Sequence, residues 1–146
     1  MQLQTERTFL QVAASTGRPS VVVMDRGIND IQAYMPPDLW DKLITDPVYG
    51  IEISNDYIND RYDLVLHLVT AADGAEKFYT TANNAARTET AEEARGLDKL
   101  VEGGYAGLKK AGKHVRVDNS TDFKGKMAKA TKAVLNMIDG KALDEP

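Results

Sequence analysis

Two short runs of almost unbroken apolar residues constrain this chain most: Ser20-Val-Val-Val-Met-Asp-Arg-Gly27 and Leu64-Val-Leu-His-Leu-Val-Thr70. Runs this short and rich in β-branched residues suit strands buried on both faces, as in a parallel sheet. Val115-Arg-Val-Asp118 reads as a third, shorter strand. Helical spacing fills the intervals, and that alternation predicts an α/β fold with a parallel sheet. At 146 residues there is chain enough for one domain with a real core.

The helical stretches have legible ends. Residues 2 to 16 carry an uneven apolar stripe of Leu3, Phe9, Leu10, Val12 and Ala13, and Gly17 with Pro19 stops them. One or two turns are expected over Ile28 to Tyr34. Pro37 opens a helix with Leu39, Trp40, Leu43 and Ile44 on one face, so Trp40 reads as a core anchor. Residues 46 to 50 read as a turn, and Ser54 as a cap. Thr90-Ala-Glu-Glu93 fits a capping box, starting a helix that Gly103-Gly104 weakens and Gly112 ends. The last helix is expected to follow Asn119-Ser-Thr121, its caps, with Phe123, Met127, Ala130, Val134 and Ile138 on one side. His67, alone in an apolar run, reads as a hydrogen-bonded core residue.

Several function classes are disfavoured. The net charge of −4 argues against a general nucleic-acid binder. Without cysteine there are no disulfides, thiol chemistry or cysteine metal sites, which fits a reducing compartment. No apolar run approaches the roughly 20 residues of a membrane span, and the N-terminus lacks a basic start and an apolar core. A cytoplasmic address is the expectation.

Asp25 and Arg26 leave the first run at its carboxyl end, the edge of an open α/β sheet where ligands bind. An aspartate there is suited to orienting the water shell of magnesium beside a nucleotide phosphate, and equally to starting a turn. Neither G-x-x-x-x-G-K-[ST] nor G-x-G-x-x-G occurs in the 146 residues.

In order, Val21-Val-Val-Met-Asp-Arg-Gly27, Ala33-Tyr-Met-Pro-Pro37 with Trp40, Arg61-Tyr-Asp63 and Leu66-His-Leu-Val-Thr-Ala-Ala-Asp-Gly-Ala-Glu-Lys-Phe-Tyr79 make a pattern. Asn83-Asn84, Arg87-Thr-Glu89 and Asp118-Asn-Ser-Thr-Asp-Phe123 extend it. This pattern resembles the AAA (P-loop NTPase-like) domain shared by TRPL translocation defect proteins and NadR-type ATPases. The resemblance implies a three-layer, P-loop kinase-like parallel sheet with flanking helices, N-terminally truncated to about three strands. It places a partial domain at residues 1–140, a lid at about 71–95 and a tail at 141–146. Across the missing strand it implies a central gap or a direct pairing, with an exposed sheet edge open to association.

The same resemblance implies binding of ATP or GTP with Mg2+, impaired while the phosphate-binding loop is absent, and NTPase or kinase-like activity only if a Walker-A segment completes it. Asp25 would orient the metal, Arg26 would face the acceptor side, and Arg87 would reach phosphoryl oxygens from the lid. Lys77 and Arg95 belong to the same lid, and Asp118 and Asn119 to the loop that touches the base. Salt bridges, solvated helix faces and helix capping are the structural alternatives for these side chains. The TRPL-related members add another role, a non-enzymatic trafficking adaptor binding phosphoinositide or a protein. Lys109, Lys110, Lys113, Arg116, Lys124, Lys126, Lys129 and Lys132 would supply its basic surface.

Overall fold

The computed structural model describes residues 1–46, 54–79 and 89–143. The turn expected at 46–50 lies almost wholly outside them, as do lid residues 80–88, including Arg87. The order is α1 (Gln2–Ser15), α2 (Asp30–Ala33), α3 (Pro37–Thr45), α4 (Asn55–Asn59), β1 (Val65–Leu68), a 3-10 turn (Glu76–Phe78), α5 (Ala91–Gly104), α6 (Ala106–Lys110), β2 (His114–Val117) and α7 (Phe123–Ile138).

β1 and β2 pair in parallel, Val65 opposite His114 and Leu68 opposite Val117. Alternation along each strand sends Leu64, Leu66, Val115 and Val117 to one face, where Ala130 and Ala133 of α7 cover them. Val65 faces the other way, against Val101, Tyr105 and Leu108 of the α5–α6 segment. Helices therefore cover both faces, as expected of an α/β chain. A third cluster of Ile28, Trp40, Ile44 and Ile58 joins α3 and α4 to the segment before α2, with Leu3 of α1 against it.

The local signals for the helix ends hold at several places. Thr90 and Glu93 form the reciprocal capping box, and the Ser54 side chain accepts from the Tyr57 N–H. The glycine pair does more than weaken the helix expected to run to Gly112: α5 ends there and α6 follows after Tyr105. Gly104 is also a packing requirement, because a Cβ there would sit 2.9 Å from the Asn29 carbonyl oxygen.

Other expectations are corrected. Among the described residues two strands pair, where three were expected. Residues 21–24 join no ladder, with Val21 and Val23 54% and 85% exposed. An apolar run becomes a strand only where a neighbour takes its backbone groups, and none does here. The stripe on α1 is not a core face: Glu6 is its buried residue, while Phe9, Leu10 and Val12 are exposed. Phe123, Met127 and Ile138 are likewise exposed, and α7 buries Ala130 and Ala133, whose small side chains let it lie close on the strands. The cap of α7 is Asp122, accepting from the Gly125 N–H at 2.8 Å, because Asn119 is engaged elsewhere.

Candidate functional site

Two polar centres stand out, one at each end of the β1–β2 ladder. At the amino-terminal end the chain turns sharply after Asp25. Arg26 has φ 72°, the left-handed region that non-glycine residues seldom occupy. The bonds around Asp30 favour that turn. Its carboxylate accepts from the Gly27 N–H at 2.8 Å, from Arg26 Nη1 at 3.1 Å and from the Tyr105 hydroxyl at 2.5 Å. Tyr105 lies beside His114, the first residue of β2, with ring centroids 6.4 Å apart. Burial, and then the bond to Asp30, raise the Tyr105 pKa, keeping that hydroxyl a donor.

Next to it, the Tyr62 hydroxyl accepts from the Ile28 N–H at 2.8 Å and donates to Glu6 at 3.0 Å. Arg61 completes a buried ion pair with Glu6, through Nε at 2.9 Å and Nη2 at 2.7 Å. This network is structural: it docks α1 and the Arg26–Asp30 corner onto the strands' amino ends. Asp25 itself is exposed and hydrogen-bonds to no other described residue.

The carboxyl-terminal end gathers different chemistry. Asn119, two residues past β2, donates through Nδ2 to the Thr70 carbonyl at 2.8 Å and the Asp73 carbonyl at 2.7 Å. Lys126 reaches back from the first turns of α7 and donates to Asn119 Oδ1 at 2.7 Å and to the Val69 carbonyl at 2.6 Å. Burial lowers the Lys126 pKa, against the opposing fields of Asp98 and Asp118. Asp98 on α5 accepts from the Thr70 N–H at 2.9 Å and lies 3.2 Å from His67 Nε2. Arg95, one turn earlier, donates to the Ala72 carbonyl at 2.9 Å. Asp118 is held to about 2 by its bonds from the Ser120 side chain and N–H and from Lys129.

Of the sequence-predicted residues, Asp118, Asn119 and Arg95 meet at this edge. Asp25 and Arg26 belong to the corner built at the opposite end of the ladder, and no hydrogen bond or ion pair among the described residues joins the two groups. Lys77 is exposed, its ammonium 4.9 Å from the Phe78 ring centroid. Arg87 lies outside the described residues. Much of the expected basic surface is engaged within the chain. Lys109 and Arg116 pair with Glu102, Arg116 also with Asp73, and Lys129 with Asp118. Lys126 was missed as a site residue because its spacing in α7 looks like any half-exposed helical lysine. Glu6 hid within an apolar stripe, although Arg61-Tyr62, its partners, stood in a motif.

An open α/β sheet binds ligands outside the carboxyl ends of its strands. Here both strands are followed by loops tied together by Asn119 and Lys126, with Arg95 alongside. The family model described as an AAA domain matches residues 1–126, most of the chain. The chain belongs to that family. No curated protein and no solved structure matches it. An AAA domain is a nucleotide-binding, P-loop NTPase-like unit, and such domains generally take their nucleotide with Mg2+. Among the described residues of this AAA domain no three His, Asp or Glu side chains gather as a metal cage. No described helix is long and apolar enough to cross a membrane.

Proposed function

We propose that this AAA domain, of the NadR and TRPL translocation defect type, binds the Mg2+ complex of ATP or GTP at the carboxyl edge of β1 and β2. The observation that carries the reading is the joining of the two post-strand loops by Asn119, with Arg95 beside them. In this reading Asp118 and Asn119 line the base side. Lys77, Arg87 and Arg95 neutralise phosphoryl oxygens; Asp25 and Arg26, in the corner at the amino-terminal end of the ladder, lie away from this edge and take no part in it. These 146 residues contain no G-x-x-x-x-G-K-[ST], so by themselves they bind weakly and turn over little; a supplied phosphate-binding loop raises both.

Calorimetry with ATP and GTP, with and without Mg2+, tests it. Weak, Mg2+-dependent binding that tightens when a Walker-A segment is supplied in trans or by fusion is the expected result. No binding in either form overturns the assignment. A cytoplasmic adaptor role, engaging phosphoinositide or a trafficking partner, has narrower support, from exposed Lys110 and Lys124. Liposome sedimentation unchanged by Lys110→Glu with Lys124→Glu removes it.

A further inference from the structure

At the end of β1 the carbonyls of Val69, Thr70 and Asp73 turn toward one region and accept bonds from just two side chains, Asn119 and Lys126. Such converging acceptors repel one another unless donors lie between them. Asn119 spends both amide hydrogens on Thr70 and Asp73, so its Oδ1 must face the other way and needs a donor of its own. Lys126 is that donor, and the same ammonium takes the Val69 carbonyl. The lysine is in turn set by α7, where its N–H donates to the Asp122 carbonyl at 2.9 Å and Asp122 caps the helix. One ammonium thus links α7 to the chain leaving both strands.

We propose that Lys126 is a positioning residue: through Asn119 it holds the 69–73 loop in the single arrangement that presents the carboxyl edge to a nucleotide. The nucleotide clause rests on the reading above; the positioning does not. Without the ammonium, Asn119 Oδ1 loses its donor, the Val69 carbonyl keeps only the long 3.5 Å bond from Asn119 Nδ2, the Asn119 amide is free to flip, and the loop loses its tie to α7.

The chain has no cysteine, so Lys126→Cys creates a unique thiol that 2-bromoethylamine converts to a lysine analogue with one sulfur in its stem. Amide hydrogen exchange at Thr70 and Asp73, whose N–H groups donate to Asp98 and to the Thr70 carbonyl and so report opening of the loop that the carbonyl ties hold, is read on the folded proteins with the Asn119 side-chain amide resonances and ATP or GTP affinity. Lys126→Cys is expected to speed exchange at both amides and weaken nucleotide binding, each by about tenfold, the scale of one lost charged hydrogen bond. Aminoethylation restores both. Asn119→Asp, which keeps an acceptor for Lys126 and removes the two donors, should release Thr70 and Asp73 in the same way and serves if the cysteine variant does not fold. Unchanged exchange and unchanged Asn119 resonances in the variants overturn the proposal. If the unaltered chain binds no nucleotide, the exchange result still decides the role of Lys126, and only the nucleotide reading falls.

Discussion

Replacing Arg61 by Met tests how α1 is held. The Glu6 carboxylate is 2% exposed and takes both Arg61 bonds on Oε2, with Tyr62 at 3.0 Å and Gln2 at 3.1 Å on Oε1. Arg61→Met leaves that carboxylate buried with two neutral donors. An uncompensated buried charge of this kind costs about 3–5 kcal/mol. There is an escape: Glu6 is the one buried residue of α1, so the helix can lift and hydrate the carboxylate. The loss is then capped by what docks α1, chiefly Leu3 against the Ile28–Trp40 cluster, and a fully buried leucine is worth only about 1.5–3 kcal/mol. The expected loss in urea unfolding is therefore about 1.5–3 kcal/mol. It should come with faster amide exchange along α1 and faster tryptic cleavage after Arg7. In the Glu6→Gln, Arg61→Met double variant most of the stability should return, since no buried charge remains. A single-variant loss below about 1 kcal/mol, or a double variant no better than the single, would refute the reasoning.

Gly27→Ala places a methyl against the Tyr105 and Tyr62 hydroxyls and should cost about 1–3 kcal/mol by thermal melting, whereas Gly96→Ala, on an open face of α5, should gain about 1 kcal/mol. Thr90→Ala removes the α5 capping box and should lower stability by about 1 kcal/mol, read by helical circular dichroism on urea titration. Asp118 is held to about 2 in the folded chain, below its unfolded value, so its contribution is present above about pH 4 and lost as pH falls toward 2. Its side chain is 39% exposed, so the effect is modest; Asp118→Asn should flatten that part of the stability–pH curve, and an unchanged curve counts against the bonds to Ser120 and Lys129.

Local sequence was enough for the α/β class, the β1 and β2 runs, the Thr90 box and the burial of Trp40 and His67. Each of these follows from short-range geometry: periodicity or a capping side chain. At the candidate site Asp118, Asn119 and Arg95 were singled out through the family resemblance, as base loop and lid. What they bond to was not legible, because the Thr70 and Asp73 carbonyls lie 49 and 46 residues from Asn119 along the chain.

Side-chain chemistry thus determined which segments are able to be strand, helix or turn. Tertiary structure alone decided that residues 21–24 join no ladder among the described residues, that Phe9 and Phe123 face solvent, and that the Lys126 ammonium bonds to Asn119 and the Val69 carbonyl. The physical reason is that pairing, burial and desolvation belong to what a residue meets across space, and the same Val-Val-Val or the same lysine carries no mark of its neighbour until the chain has folded.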